Sequence, residues 1–271
     1  MHGDYALNGP VATRRLDWNG LDPHGPKLEI GPDDIHLWVF DLRNFDPVLL
    51  DQWIQPAEYA RAERILDQGK RVLYLGGRLG LRYLLTRYTG IANEALHFGY
   101  GSRGKPRLEN KGVGDLPAFN YSLSQDKVLY AVSHSRQLGV DMELLPRTVA
   151  AEQMAYRHLT EIERRVWQNL PLSQRNDAML CCWTRKEAYG KALGVGIRYQ
   201  MNAVTLFHQL QQDTWQVERS GLFQPNETAG MAEKLEGVQL YLPFGGVASL
   251  MYGLEFNKIT GTRLAAGQIS I

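Results

Sequence analysis

Apolar residues recur with two different periods in the first half of the chain. Residues 35–42, IHLWVFDL, are rich in β-branched and aromatic side chains and predict a strand. Over residues 56–88 apolar positions recur every three or four residues, which predicts one long helix ending near Gly90. Further strands are predicted after it by LHFGYG and KPRL around a glycine-rich turn, by AFNYSLS with KVLYAVS, and by QLGVDMEL.

The second half of the chain follows a similar order. Pro146 breaks the pattern, and Thr160 with Glu163 has the spacing of a capping box that opens a helix. A longer helix is predicted from a cap at Ser173 to about Leu193, ended by Gly194 and Gly196. More strands follow in AVTLFHQL, TWQVERS, VQLYLPF and VASLMYGLE.

This order predicts an α+β protein with two similar α/β subdomains. We expect the first subdomain to span residues 34–145 and the second to span 146–271. Residues 1–33 hold several glycines and prolines without clear periodicity, and they predict an extended N-terminal arm.

Two short fragments carry candidate chemistry. In GVDMELL, residues 139–145, Asp141 and Glu143 are two residues apart, so a strand points both carboxylates to one side. In WTRKEAYGK, residues 183–191, Glu187 and Lys191 lie one helical turn apart on one face. Three carboxylates suit a hard ion such as Mg²⁺, which usually takes its remaining ligands from water and substrate phosphates. The pattern therefore favours a site for a magnesium-bound phosphate ester.

Composition and missing motifs limit the possible partners, cellular location and enzyme classes of this chain. The formal net charge of +1 provides no overall field for nucleic acid or an anionic membrane. Because no apolar run reaches membrane-span length and the N-terminus lacks the order of a signal peptide, we expect a cytoplasmic protein. The two adjacent cysteines fit neither a disulfide framework nor a zinc site. The dinucleotide-binding, P-loop and GxSxG motifs are absent from the sequence, which disfavours dehydrogenase, kinase and serine-hydrolase functions.

The order of GVDMELL and WTRKEAYGK resembles the paired motifs of the Sfp-type 4'-phosphopantetheinyl transferases, whose fixed positions are all matched. Three further stretches resemble the family in the same order: ARAERI with GRLGLR, RGKP at residues 103–106, and FNYSLS at residues 119–124. The resemblance implies two subdomains in a pseudo-twofold arrangement with the active site at their junction. It also implies a monomeric enzyme that moves phosphopantetheine from coenzyme A to a serine of an apo acyl or peptidyl carrier protein.

The resemblance also implies roles for individual residues. Asp141, Glu143 and Glu187 would hold Mg²⁺, with Glu187 the candidate base and Lys191 the group that binds the pyrophosphate; Glu187, Lys191 and Asp141 form the expected catalytic set. The remaining coenzyme A contacts would come from Arg61, Arg64, Arg103, Gly104, Lys105, Pro106, Ser122, Leu123 and Lys186.

One position departs from the family pattern. The family usually has histidine where this chain has Leu123, so we expect altered coenzyme A affinity with an intact metal centre. Two other functions stay open at this point. A non-catalytic module that binds carrier proteins is one, and a magnesium nuclease is the other, although the usual nuclease pattern would require lysine where the chain has Leu145. The choice among fatty acid, polyketide and peptide carriers is also left open.

Overall fold

The two four-stranded sheets of the described residues belong to two compact units, which are described one at a time. The computed structural model describes residues 13–15, 25–32, 34–43, 45, 48–110, 114–134, 137–195, 201–207, 214–216, 218–219, 235–242 and 244–253. Within these, the first unit comprises residues 13–100 and Pro106–His134, and the second comprises Gly101–Lys105 and residues 137–253.

The first unit contains a four-stranded sheet and a long helix. The sheet has the order β1-β2-β6-β5, in which β1 runs parallel to β2 and the other neighbours are antiparallel. Apolar side chains of the sheet and of α3 form its core. The elements are β1 (Thr13–Arg15), β2 (Ile35–Asp41), α1 (Val48–Trp53), α2 (Pro56–Ala62), α3 (Gln68–Thr89), β3 (Phe98–Tyr100), β4 (Pro106–Leu108), β5 (Ala118–Ser124) and β6 (Lys127–Ser133).

The single helix predicted over residues 56–88 is two helices, so that prediction is wrong. α2 ends at Ala62. The backbone of Asp67 is extended, and the Asp67 carboxylate accepts a hydrogen bond from the Lys70 amide. Asp67 is therefore the N-cap of a new helix, a local signal that apolar periodicity does not register. The predicted end is confirmed, because Gly90 has the left-handed φ of 72° that commonly terminates helices.

The second unit also contains a four-stranded sheet, in the order β7-β12-β11-β9, with antiparallel neighbours throughout. Helix α6 packs against β7 and β12. The Thr160–Glu163 capping box is confirmed at the start of α5. The elements are β7 (Leu138–Leu144), α4 (Ala151–His158), α5 (Glu161–Gln168), α6 (Leu172–Leu193), β8 (Val204–Thr205), β9 (Thr214–Gln216), β10 (Glu218–Arg219), β11 (Leu235–Leu242) and β12 (Gly246–Gly253).

The long helix of this unit differs from its prediction at one end. α6 begins at Leu172 after an N-cap at Pro171 and has no side-chain cap, so Ser173 is not its cap residue. Gly194 ends the helix with a φ of 68°, as predicted, and Gly196 lies outside the described residues.

Helices and sheets are both well represented, and the predicted α+β class is confirmed. Of the predicted N-terminal arm, Thr13–Arg15 pairs in parallel with β2, while residues 1–12 and 16–24 lie outside the described part of the chain. Among the helices of the described residues, none combines the length and apolar character needed to cross a bilayer.

Candidate active site

Strand β7 is buried along its whole length and carries two of the predicted ligands. Asp141 and Glu143 pair with Ser249 and Val247 of β12, so the strand is fixed within the sheet. Both carboxylates point to one side, and their residues are only 6 % and 8 % exposed. Burying two like charges so close together is costly unless cations neutralise them.

Gly139 sets how closely β7 approaches α6. A Cβ atom built on Gly139 would lie 2.1 Å from the carbonyl oxygen of Ala188 and 2.4 Å from the amide nitrogen of Ala192. Both atoms are backbone and cannot swing away, so no side chain fits here without separating the strand from the helix. The glycine therefore permits the contact that places Asp141 beside the last turns of α6. Spacing alone did not predict this role, although the glycine belongs to the resemblance motif.

Lys191 supplies a positive charge at the seam between β7 and α6, the contact that Gly139 permits. Its ammonium donates hydrogen bonds to Asp141 Oδ1 at 2.7 Å and to the carbonyl oxygen of Val140 at 3.0 Å. The side chain remains partly exposed, at 26 %. Lys191 thus joins the final turn of α6 to β7 and leaves part of its surface open to an anionic ligand.

Glu187 lies one turn earlier on α6 and is 9 % exposed. Its Oε1 atom is buried and has no hydrogen-bond partner within the described part of the chain. The pKa of Glu187 is raised to about 7, chiefly by burial and also by the negative charges of Asp141 and Glu143, while Lys191 opposes the rise. These electrostatic effects place Glu187 in the same cluster as the two strand carboxylates.

Glu143 has a cationic neighbour of its own, Arg147, that the sequence did not indicate. Arg147, four residues further along the chain, forms a salt bridge from Nη1 to Glu143 Oε2. The arginine lies beyond Pro146, where the strand pattern ends. An i,i+4 charge pair is a recognisable signal within helices, but here it spans a turn, so helical spacing rules did not apply.

The donor set fits a hard divalent cation. Glu187 is within electrostatic reach of the Asp141 and Glu143 carboxylates, and it has a buried oxygen without a hydrogen bond in the described part of the chain. Such an ion would relieve their mutual repulsion and satisfy that oxygen. In the described residues no three acidic, histidine or cysteine side chains already stand in metal-binding geometry. Asp141 and Glu143 instead each bind a cationic side chain.

The predicted contact of Lys186 with coenzyme A does not fit the position of this side chain in the structure. Its side chain is fully buried and forms an ion pair with Glu163 at 2.6 Å. The ammonium also donates hydrogen bonds to the carbonyl oxygens of Met201 and Val204. A lysine enclosed in this way holds α6 to neighbouring segments of its own unit and does not reach a ligand.

The two cations of the RGKP loop, Arg103 and Lys105, also contact backbone carbonyl oxygens of the protein. Lys105 donates to the carbonyl oxygens of Leu138 and Ala192, at 2.9 and 3.1 Å, and burial lowers its pKa to about 8. Arg103 is exposed, with one nitrogen 3.4 Å from the Val195 carbonyl oxygen. Gly104 forms the turn with a φ of 84°.

The other predicted coenzyme A contacts lie in the first unit. Arg61 is exposed near the end of α2, with its guanidinium 5.4 Å from the ring centre of Tyr100. Arg64 lies in the turn beyond that end, outside the helix. Pro106 is the first residue of β4.

The FNYSLS stretch lies on β5, where Ser122 is buried and Leu123 joins the apolar core of the first unit. A Cβ built on Gly77 of α3 would lie 3.2 Å from Leu123 Cδ1. Leu123 therefore packs closely against the α3 backbone at the position where the family usually has histidine.

The GRLGLR arginines have a structural role that helix periodicity did not reveal. Arg78 and Arg82 are each 3 % exposed, and both form salt bridges with the Glu58 carboxylate. They also lie over the ring of Phe98, with their guanidinium carbons 4.4 and 5.1 Å from its centre. These charges connect α2, α3 and β3 inside the first unit.

Comparison with known proteins decides the family. Residues 137–236 match the family model described as the 4'-phosphopantetheinyl transferase superfamily. The 4'-phosphopantetheinyl transferase HetI of Nostoc sp. strain PCC 7120 is 36 % identical over 177 residues, which cover 65 % of this chain and 75 % of HetI. The chain belongs to the 4'-phosphopantetheinyl transferase superfamily.

More distant members of this superfamily also match. The L-aminoadipate-semialdehyde dehydrogenase-phosphopantetheinyl transferase of Xenopus laevis is 25 % identical, with 62 % of this chain and 60 % of that protein covered. Its counterpart in Homo sapiens is 24 % identical, with 60 % and 57 % covered. The predicted enzyme class is confirmed, and this 4'-phosphopantetheinyl transferase has its cluster of carboxylates within the segment that the family model matches.

Proposed function

We propose that this chain catalyses an Sfp-type reaction in which the 4'-phosphopantetheine group of coenzyme A is transferred to a serine of an apo acyl or peptidyl carrier protein, with Mg²⁺ as cofactor. Glu187 carries the proposal. It is a buried carboxyl with an unsatisfied oxygen, beside two other carboxylates and the ammonium of Lys191. This combination of groups suits a phosphoryl transfer, which depends on alignment and neutralisation of charge.

The proposed transfer forms one bond to phosphorus and breaks another, and the site must support both changes. The serine oxygen attacks the phosphorus that bears the pantetheine arm, and the bond from this phosphorus to the bridging oxygen breaks. Adenosine 3',5'-bisphosphate leaves with that oxygen. The serine proton must move to a base during the attack, and a base with a pKa near the working pH is the most effective.

The residues of the cluster divide this work. Asp141, Glu143 and Glu187 would hold Mg²⁺, which when bound supplies positive charge to the pyrophosphate. Lys191 holds Asp141 through one hydrogen bond and has enough exposed surface to bind a phosphate oxygen. Glu187 lies on the same helix face one turn away, and its carboxylate is the group that we assign to accept the serine proton.

The proposal extends to the cellular setting. We propose a monomeric, cytoplasmic enzyme that binds neither nucleic acid nor membrane. The net charge of +1 supports this, and so do the free thiols of Cys181 and Cys182, which suit a reducing compartment. Size-exclusion chromatography with light scattering would test the monomer, since a dimer mass at micromolar concentration would contradict it.

A mass assay on carrier proteins tests the reaction. The enzyme is incubated with coenzyme A, Mg²⁺ and apo carriers of fatty acid, polyketide and peptide synthesis in turn. We expect intact mass spectrometry to detect one added phosphopantetheine on at least one carrier, and the responding carriers identify the pathway. Failure with every carrier, while an established transferase modifies the same samples, would favour the non-catalytic binding module.

A further inference from the structure

The lysine of the RGKP loop is directed into the protein. Lys105 Nζ donates to the carbonyl oxygen of Leu138, the first residue of β7, at 2.9 Å. It also donates to the carbonyl oxygen of Ala192, in the last turn of α6, at 3.1 Å. One ammonium therefore bridges the two elements that carry every residue of the carboxylate cluster.

Both hydrogen bonds lie close to that cluster along the chain. Leu138 precedes Asp141 by three residues on β7, and Ala192 directly follows Lys191 on α6. The last carbonyl groups of a helix have no partner within the helix and carry partial negative charge. Lys105 supplies a partner and a positive charge for one of them, and it does so from a loop distant in sequence.

Three contacts occur side by side where β7 crosses α6. The Gly139 backbone touches the helix backbone at Ala188 and Ala192. Lys191 bonds Val140 and Asp141 just beyond this point. Lys105 bonds Leu138, which precedes Gly139 on the strand, and its stem lies against Gly194, where a built Cβ would be 3.4 Å from Lys105 Cδ.

We propose that Lys105 is a positioning residue, which fixes α6 against β7 and so sets the geometry of the carboxylates and Lys191. The resemblance assigned this lysine to the nucleotide, whereas its hydrogen bonds go to the protein backbone. The proposal rests on the proposed function only for its catalytic consequence. The pair of hydrogen bonds from Lys105 to Leu138 and Ala192, called the clamp below, can be tested in protein without metal or coenzyme A.

The test uses Lys105→Met, which keeps an unbranched stem and removes the ammonium. Arg107→Met is the matched control, because Arg107 is an exposed cation two residues further along the chain. Hydrogen–deuterium exchange in EDTA, without coenzyme A, is followed for peptides covering residues 138–141 and 190–195. Losing a charged hydrogen bond should lower the local opening energy enough to speed exchange there by roughly tenfold. Exchange that is unchanged from wild type would overturn the clamp.

Kinetics separate the clamp from a nucleotide contact. A displaced seam should lower kcat and raise the Mg²⁺ concentration for half-maximal rate by roughly tenfold, with little change in the KM for coenzyme A. A rise confined to the KM for coenzyme A would overturn the positioning role. If wild-type protein transfers no phosphopantetheine, the proposed function fails by itself, and the exchange data still decide whether Lys105 is a clamp.

Discussion

The buried Glu187 carboxyl should make the metal-free protein less stable at alkaline pH, and Glu187→Gln should remove this weakness. In the folded chain the Glu187 pKa is raised to about 7 from an ordinary value of 4.5, chiefly by burial. The folded state therefore binds more protons than the unfolded state between these two values. Its stability falls as the pH rises through this window, and above pH 7 the full cost is present.

The magnitude follows from the size of the shift. Each pKa unit corresponds to about 1.4 kcal/mol, so ionising Glu187 in the folded protein costs about 3 kcal/mol at pH 8.5. Glu187→Gln keeps the shape without the charge and should be more stable than wild type by about this amount. At pH 5 the difference should shrink to below about 1 kcal/mol, because the folded wild type is then largely protonated.

Thermal and urea unfolding in EDTA at the two pH values measure this difference. For a chain of this size about 3 kcal/mol corresponds to a Tm increase of roughly 5 °C. Glu161→Gln is the matched control, since Glu161 is an exposed carboxylate whose side chain is 73 % accessible. It should change stability by less than about 0.5 kcal/mol at either pH. Equal stabilities of Glu187→Gln and wild type at pH 8.5 would refute the electrostatic argument.

Three other substitutions test separate parts of the account. Gly139→Ala should abolish most activity and lower the Tm, because its Cβ would meet the α6 backbone, whereas Gly114→Ala, where nothing lies within 4 Å, should be neutral by melting and turnover. Lys186→Met should destabilise by about 3 to 5 kcal/mol by leaving the Glu163 charge buried without a cation, and Lys186→Met/Glu163→Gln should recover part of this in urea titrations; single and double variants of equal stability would contradict the ion pair. Lys191→Met should lower kcat/KM for coenzyme A by at least about tenfold, because the partly exposed ammonium is lost from the site; an unchanged kcat/KM would remove Lys191 from the site.

The sequence was most informative where period and chemistry coincided. Strand β7 and helix α6 were predicted from their patterns, and the two-residue and four-residue spacings put the carboxylates and Lys191 on shared faces. The α+β class and the end of α3 at Gly90 followed from the same rules. These features are local, so neighbouring residues suffice to predict them.

Side-chain direction was predicted less well. Lys105 and Lys186 have long flexible stems, and sequence spacing cannot tell whether the ammonium points to solvent or to a backbone carbonyl. Both ammonium groups point inward. The same holds for Arg78 and Arg82, whose buried pairing with Glu58 requires contact between two helices. Such interactions depend on tertiary packing, which no single stretch of sequence encodes.

The most direct test of the central claim is a metal titration of the transfer reaction. Protein stripped with EDTA is given coenzyme A and an apo carrier protein that wild type modifies, and Mg²⁺ is then added in steps while the carrier mass is followed. We predict no transfer in EDTA, recovery with Mg²⁺, and a loss of at least about a hundredfold in rate for Asp141→Asn at saturating Mg²⁺. Full transfer in EDTA, or an Asp141→Asn variant with the wild-type rate, would contradict the assignment of the carboxylate cluster as the catalytic centre.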